Sequence, residues 1–241
     1  MNLLALDTST EWMSLALQRD DPSQCWQHHA AGGARTSLDL VPQIQTLLTQ
    51  AGMQVRELDA IVFGAGPGAF TGLRSACAVA QGLAFGAGVP VLPLDTLLAV
   101  AEEARVLCDA PAHFEVTALL DARMDEMYAA SYVFESDAWT TTKRCSLISP
   151  EHLSDVAPCP QSLLAGNVFE VYGARLAPQF TQRLAALPTA MALLRLAPAH
   201  LAAGLAVPAA LALPTYVRDK VAQTTAERAA LKSTLLAATA S

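Results

Sequence analysis

The chain has no lysine before Lys143, and it sets 15 Lys and Arg against 22 Asp and Glu, a formal net charge of −7 at pH 7. Autonomous, charge-driven binding of nucleic acid is thereby excluded, because phosphate contacts need clustered Lys and Arg. Any RNA must be held by something else. Paired cysteines are missing too: Cys25, Cys77, Cys108, Cys145 and Cys159 are odd in number and scattered, with no C-x-x-C. That pattern suggests neither a disulfide framework nor a thiolate zinc site, and it fits a reducing cytoplasm. No two of His28, His29, His113, His152 and His200 stand four residues apart, and adjacent His28 and His29 point to opposite faces of a strand. The two-histidine helical metal site of a metalloprotease is therefore absent, and no metal or cofactor is expected. Long apolar runs are lacking as well. Residues 201–213 are interrupted by Gly204 and Pro208 and fall short of a bilayer span, so no membrane contact is expected. The first ten residues hold one short apolar run and Asp7 with no basic segment, and they read as a strand rather than a signal peptide.

What remains is apolar. Hydrophobic residues make 53% of the 241, enough to fill the core of one large domain or two small lobes. Residues 2–7 and 12–18 are apolar runs around a polar turn, a hairpin signal, and residues 25–30 form a third strand. Residues 36–51 carry Leu38, Val41, Ile44, Leu47 and Leu48 at helical spacing and stop at Gly52. A strand at 58–63, a helix at 71–85, a strand at 89–94 and a helix at 96–106 complete a first lobe, 1–106. A second lobe, 107–218, opens with strands at 114–120, 126–134 and 140–148; prolines then cut the chain into short pieces, with a late helix near 189–205 that can pack back on the first lobe. Residues 219–241 form a tail in which Thr225, Ala229, Leu231, Leu235 and Leu236 allow a weakly amphipathic helix. The order of elements predicts an α/β chain with mixed sheets flanked by helices, the two-lobe architecture of the actin, sugar-kinase and Hsp70 class.

The run from Gly64 to Arg74, GAGPGAFTGLR, reads as a strand-to-helix turn, with Thr71 as helix N-cap. Its amides and the helix dipole suit an anion, yet the G-x-x-x-x-G-K-[ST] pattern is missing and Arg74 is the only local cation. A phosphate cradle and a plain packing turn both stay open. The helix that follows is apolar almost all round, which demands burial on all sides. Its outer side is covered either by the chain's own core or by a second protein surface. Small residues at Gly72, Ala76, Ala80 and Gly82 would let another helix approach closely.

Asp7-Thr-Ser-Thr10, GAGPGAFTGLR, Asp95-Thr-Leu97, Asp121-Ala-Arg123 with Met127-Tyr128, and Pro214-Thr-Tyr-Val-Arg218 together resemble the TsaB (YeaZ) family of bacterial tRNA threonylcarbamoyladenosine biosynthesis. The likeness runs in order to about Arg218 and is loose over 149–210. It implies an actin-like two-lobe fold and a non-catalytic subunit that pairs, through helices of the first lobe, with a TsaD-type catalytic subunit and, with it, a TsaE-type ATPase. The tRNA would be touched only indirectly, through the complex. Expected interface residues are Val41, Ile44 and Leu48 from the first helix, with Gly66, Pro67, Gly68, Phe70, Thr71, Arg74, Val79 and Leu83 from the turn and second helix. The same patch could close a homodimer. Many family members carry His-Ser or His-Thr at the start of the first helix, where this chain has Thr36-Ser37.

The alternative is an ATP-binding phosphotransferase or ATPase of the actin-like fold. Asp7 stands where ATPases of this fold place a metal-linked aspartate, and Thr8, Ser9 and Thr10 follow as a vestigial nucleotide site. The usual D-x-G-x-T glycine, which lets phosphate approach, is replaced here. The charged group Asp121, Arg123, Asp125 and Glu126 beside Tyr128 reads either as an acid–base pair or as a salt-bridged turn.

Overall fold

The computed structural model describes residues 1–218 apart from positions 34, 111, 158 and 160. The tail, with the helix expected there, lies outside the described residues. Two five-stranded sheets, each mixed, organise the rest.

In the first sheet, strands β1 (Leu3–Asp7), β2 (Trp12–Arg19) and β3 (Asp21–Ala31) form an antiparallel meander, while β4 (Ala60–Gly66) and β5 (Val91–Asp95) join β1 in parallel. The order is β3-β2-β1-β4-β5. Parallel neighbours need crossover helices. They are α1 (Thr36–Ala51), between β3 and β4, and α2 (Phe70–Ala87), between β4 and β5, followed by α3 (Thr96–Leu107). Side chains of β1 alternate between two cores, as a period of two requires. Leu4 and Leu6 meet Leu40, Ile44 and Ala80 of α1 and α2, whereas Leu3 and Ala5 face the opposite layer with α3. Each such leucine removed from water contributes about 2 kcal/mol.

The second sheet, ordered β10-β9-β6-β7-β8, is built on the antiparallel strands β6 (His113–Arg123), β7 (Glu126–Glu135) and β8 (Ala138–Ile148). Short parallel strands β9 (Leu163–Gly166) and β10 (Arg183–Ala185) extend it, with the single turn α4 (Phe169–Tyr172) between them. Helix α5 (Ala190–Ala202) then returns to the first sheet, where Ser14 Oγ accepts from the Ala190 amide at 2.9 Å. A buried carboxylate fastens this return. Glu102 of α3 takes both Arg105 and Arg195, at 2.9 and 3.0 Å, and the Trp139 indole N–H at 3.1 Å. A charge this deep is tolerable only because every oxygen is used.

Three elements differ from expectation. Strand β4 runs on through Gly64 and Ala65 to Gly66, so the first three residues of the glycine run are sheet, not turn. Helix α2 starts at Phe70 with Ala69 in the cap position and no side-chain cap; Thr71 lies exposed inside the first turn, its carbonyl accepting from Ser75 Oγ. Ile44 and Leu48, expected at an interface, are buried in the chain's own core. Their stripe is the one that holds α1 to the sheet.

Candidate functional site

The β1–β2 hairpin is bolted to the start of α2. Thr8 Oγ1 donates to the Gly72 carbonyl at 2.7 Å, and the Ala69 amide donates to the Ser9 carbonyl at 2.7 Å. The approach is so close that a Cβ at residue 72 would fall 1.8 Å from the Thr8 carbonyl oxygen. Glycine is required there by contact, not by dihedral preference. Pro67 is buried, Gly68 rests against Ser9, and the Thr215 carbonyl covers Gly66.

Asp7 does not join Thr8, Ser9 and Thr10 around a shared opening. Its carboxylate is sealed, with the residue 1% exposed. Oδ1 accepts from the Ser9 amide and hydroxyl at 2.9 and 2.7 Å, and Oδ2 has no partner and lies against bare Gly64. Burial pushes its pKa up to about 6, the two Ser9 bonds only partly opposing. The expected vestigial set is therefore split: Thr8, Ser9 and Thr10 line the cleft described next, while Asp7 stands behind them as an internal brace.

The cleft encloses about 760 Å³ between the two sheets. Thr8 to Glu11 and the first turn of α2 form one wall, and Leu120 to Met124, Tyr128 and Asn167 form the other. A strap formed by residues 212–218 runs along it. Its Ala212 carbonyl accepts from Gln81 Nε2 at 2.8 Å, and its Thr215 amide donates to the Ala65 carbonyl at 2.7 Å. Tyr216 packs against Phe70 with ring centroids 5.0 Å apart and the rings tilted by 36°, and it accepts from Arg74 Nε at 3.0 Å. The Arg74 guanidinium also lies 3.7 Å over the Phe70 ring, so the local cation of the glycine turn is already occupied. Beyond it Arg218 pairs with Glu126.

The acidic loop between β6 and β7 is a salt-bridged turn. Asp121 holds Arg123 at 3.0 Å, and Asp125 holds Arg175 at 2.7 Å. Asp121 Oδ1 also accepts from Tyr172 Oη at 2.9 Å, which with burial pushes that phenol up to about 12. Asp95 caps α3 through the Leu97 amide at 2.8 Å and takes the Tyr132 hydroxyl at 2.8 Å. Burial nevertheless raises its pKa, the two bonds only partly opposing. No three His, Cys, Asp or Glu side chains among the described residues are grouped to hold a metal ion. No described helix is long and apolar enough to cross a membrane.

A second feature is the outer side of α2. Its inner stripe, Leu73, Ala76, Cys77, Ala80 and Ala84, is buried on the first sheet. Opposite lies a bare stripe, Thr71, Arg74, Ala78, Gly82 and Phe85, with Phe85 83% exposed. Val79 and Leu83 are half-buried between the two, at the edge of the core. On neighbouring α1 the exposed apolar residues are Val41 and Leu38, the latter 70% exposed. Sequence reasoning missed Leu38, Ala78 and Phe85 as surface. Their signal was faint, since only the burial of the opposite stripe reveals which face is left over.

The family model for "TsaD: tRNA N6-adenosine threonylcarbamoyltransferase" matches residues 33–226. A Haemophilus influenzae protein named tRNA threonylcarbamoyladenosine biosynthesis protein TsaB is 34% identical over 230 residues, 92% of this chain and 95% of that one. The Escherichia coli protein of the same name is 35% identical over 152 residues, 63% of this chain and 64% of that one. The solved structure of YeaZ from Pseudomonas aeruginosa superposes with a TM-score of 0.79 at 36% identity, covering 89% of this chain and 99% of that one. Together with the two helix-flanked mixed sheets, this agreement makes the architecture the actin-like two-lobe fold.

Proposed function

The chain belongs to the TsaB (YeaZ) family, with a role in tRNA threonylcarbamoyladenosine biosynthesis, and on that premise we propose that it is a non-catalytic scaffold for a TsaD-type catalytic subunit. A TsaE-type ATPase joins through that pairing, and threonylcarbamoyl transfer to the adenosine beside the anticodon takes place in the partner. The tRNA meets this chain only as part of the complex, as its acidic balance favours.

The observation that carries this reading is the bare outer stripe of α2. Ala78, Gly82 and Phe85 lie along one line of an 18-residue helix, and Leu38 and Val41 are exposed on α1. Small residues let a partner helix come close, and Phe85 offers the large aromatic anchor around which interface energy concentrates. A sealed Asp7 with no opening toward the cleft supports the non-catalytic half of the reading, since a metal-linked carboxylate must face its ion. Of the residues expected at the interface, Arg74, Thr71, Val79, Leu83 and Val41 belong to this surface, while Gly66, Pro67 and Gly68 set the position of α2 from behind.

Gly82→Arg is the direct test, because nothing lies within 4 Å of a side chain added there. The variant should fold as the parent does, fail to co-purify with a TsaD-type subunit, and give no modified tRNA in the reconstituted system. Unchanged co-purification would remove the basis for the scaffold. In the absence of a partner the same stripe closes a homodimer, and the variant should then run as a monomer at concentrations where the parent dimerises.

A further inference from the structure

The cleft between the sheets holds more polar capacity than the fold consumes. The first three amides of α2, those of Phe70, Thr71 and Gly72, have no acceptor among the described residues, and all three residues line the cleft. Unpaired amides at a helix start attract negative charge, but solvent can satisfy them equally well. Two largely buried residues on the same lining carry hydroxyls that point further. Tyr128, from the second sheet, is 8% exposed, and Thr36, from the start of α1, is 7% exposed. Neither hydroxyl has a hydrogen-bond partner among the described residues. Nor are they sealed as Asp7 Oδ2 and Thr96 Oγ1 are; both side chains border the cleft. Being open to the cleft, the two hydroxyls are free to meet solvent or a ligand that arrives there.

The charges around the cleft restrict what arrives. Its lining has no lysine, and its two arginines are committed: Arg123 to Asp121 at 3.0 Å and Arg218 to Glu126. Glu11 adds a negative charge to the same walls, with no ion-pair partner among the described residues. A polyphosphate would meet repulsion with no free cation to offset it, whereas one carboxylate at the α2 amides, with a positive or N–H group toward Glu11, leaves the balance neutral.

We propose that the cleft is a binding site for a small molecule of the amino-acid class, its α-carboxylate held by the α2 amides and the Tyr128 and Thr36 hydroxyls. A volume of about 760 Å³ accepts either a free amino acid or the last residues of a peptide, which share that carboxylate chemistry.

The test is ligand-observed saturation-transfer NMR on the full chain with four probes: the twenty free amino acids, trialanine, trialanine amide, and ATP with magnesium. Transfer to a free amino acid or to trialanine, and none to the amide, is the expected result; which of the two responds identifies the source. Tyr128→Phe and Thr36→Val remove hydroxyls that no part of the described fold uses, so both variants should keep the parent's melting temperature. Each should weaken binding roughly tenfold, the value of one hydrogen bond to a charged group. Absence of transfer to both carboxylate sources, equal response from the amide, unchanged affinity in Tyr128→Phe, or tighter competing binding of ATP would each overturn the proposal.

Discussion

Replacing Asp7 with Asn should make the protein more stable at neutral pH, although a charged residue with two good hydrogen bonds is being removed. Asp7 Oδ1 takes both bonds from Ser9, and an Asn oxygen in the same place keeps them. What changes is Oδ2, which is buried without a partner against Gly64. The folded pKa of about 6 stands above the ordinary 3.8. At about 1.4 kcal/mol per pH unit, the ionised carboxylate costs the fold about 3 kcal/mol. The sign follows from proton counts. Between pH 3.8 and about 6 the folded chain binds more protons than the unfolded one, so stability falls as pH rises through that window. The cost is complete above it and absent below it. Asp7→Asn should therefore gain up to about 3 kcal/mol at pH 8 and differ from the parent by less than about 1 kcal/mol at pH 4. Urea unfolding followed by circular dichroism at pH 4, 6 and 8 reads both numbers. A loss at pH 8 would refute the reasoning, because it would mean that the charge has a favourable partner, such as a cation drawn in behind the hairpin. A gain independent of pH would refute the electrostatic cause.

Other substitutions probe the same framework. Gly82→Ala meets open space on a helix and should raise stability by about 1 kcal/mol in thermal unfolding of the isolated chain, through helix propensity alone. Gly72→Ala should lower stability by about 3 kcal/mol in the same assay, because the Thr8 carbonyl must yield and the Thr8 and Ser9 bonds to α2 loosen with it. Met124 is exposed at a φ of 57° between Arg123 and Asp125, which share its left-handed conformation. Met124→Gly should gain about 1 kcal/mol in urea unfolding by relieving that backbone, less whatever its contact with Arg218 contributes.

The first lobe was legible because its elements are long and regular. The apolar run at 2–7 and the 3.6-residue stripe of 36–51 give β1 and α1 directly. The interface was less legible, for a reason visible in Ile44 and Leu48. A regular apolar stripe is what makes a helix recognisable, and that stripe is the one the chain buries in its own core. Residues left exposed are the irregular remainder, here Leu38 and Val41. Helix α2 hid its orientation differently: with alanine and glycine on most sides, no periodicity separates Ala76 and Ala80, which are buried, from Ala78 and Gly82, which are not. Reading Gly64 and Gly66 as turn residues failed because their lack of side chains serves a strand packed against Asp7 and Thr215. In the second lobe, β9 and β10 have only four and three residues, too few to show any period. The cleft was invisible for yet another reason. Thr36, the α2 amides, Tyr128 and Arg218 come from four separate parts of the chain and meet only around the folded cleft.

Helix α2 joins the two surfaces that matter. Its outer stripe carries Ala78, Gly82 and Phe85, while its first turn contributes amides to the cleft, and 18 residues make it a rod about 27 Å long. Such a rod moves as a unit, and its attachments lie at both ends. Thr8, Ser9 and the Phe70–Tyr216–Arg74 cluster hold the start, and the Gln81 bond to Ala212 holds the later turns through the same strap. The strap continues to Arg218 and Glu126 on the opposite wall. A partner that displaced α2 would therefore shift the cleft amides relative to Tyr128, and a molecule bridging the amides and Tyr128 would resist that shift. Were the face and the cleft both occupied as proposed, one helix would couple them, and by linkage each ligand would change the affinity for the other by the same factor.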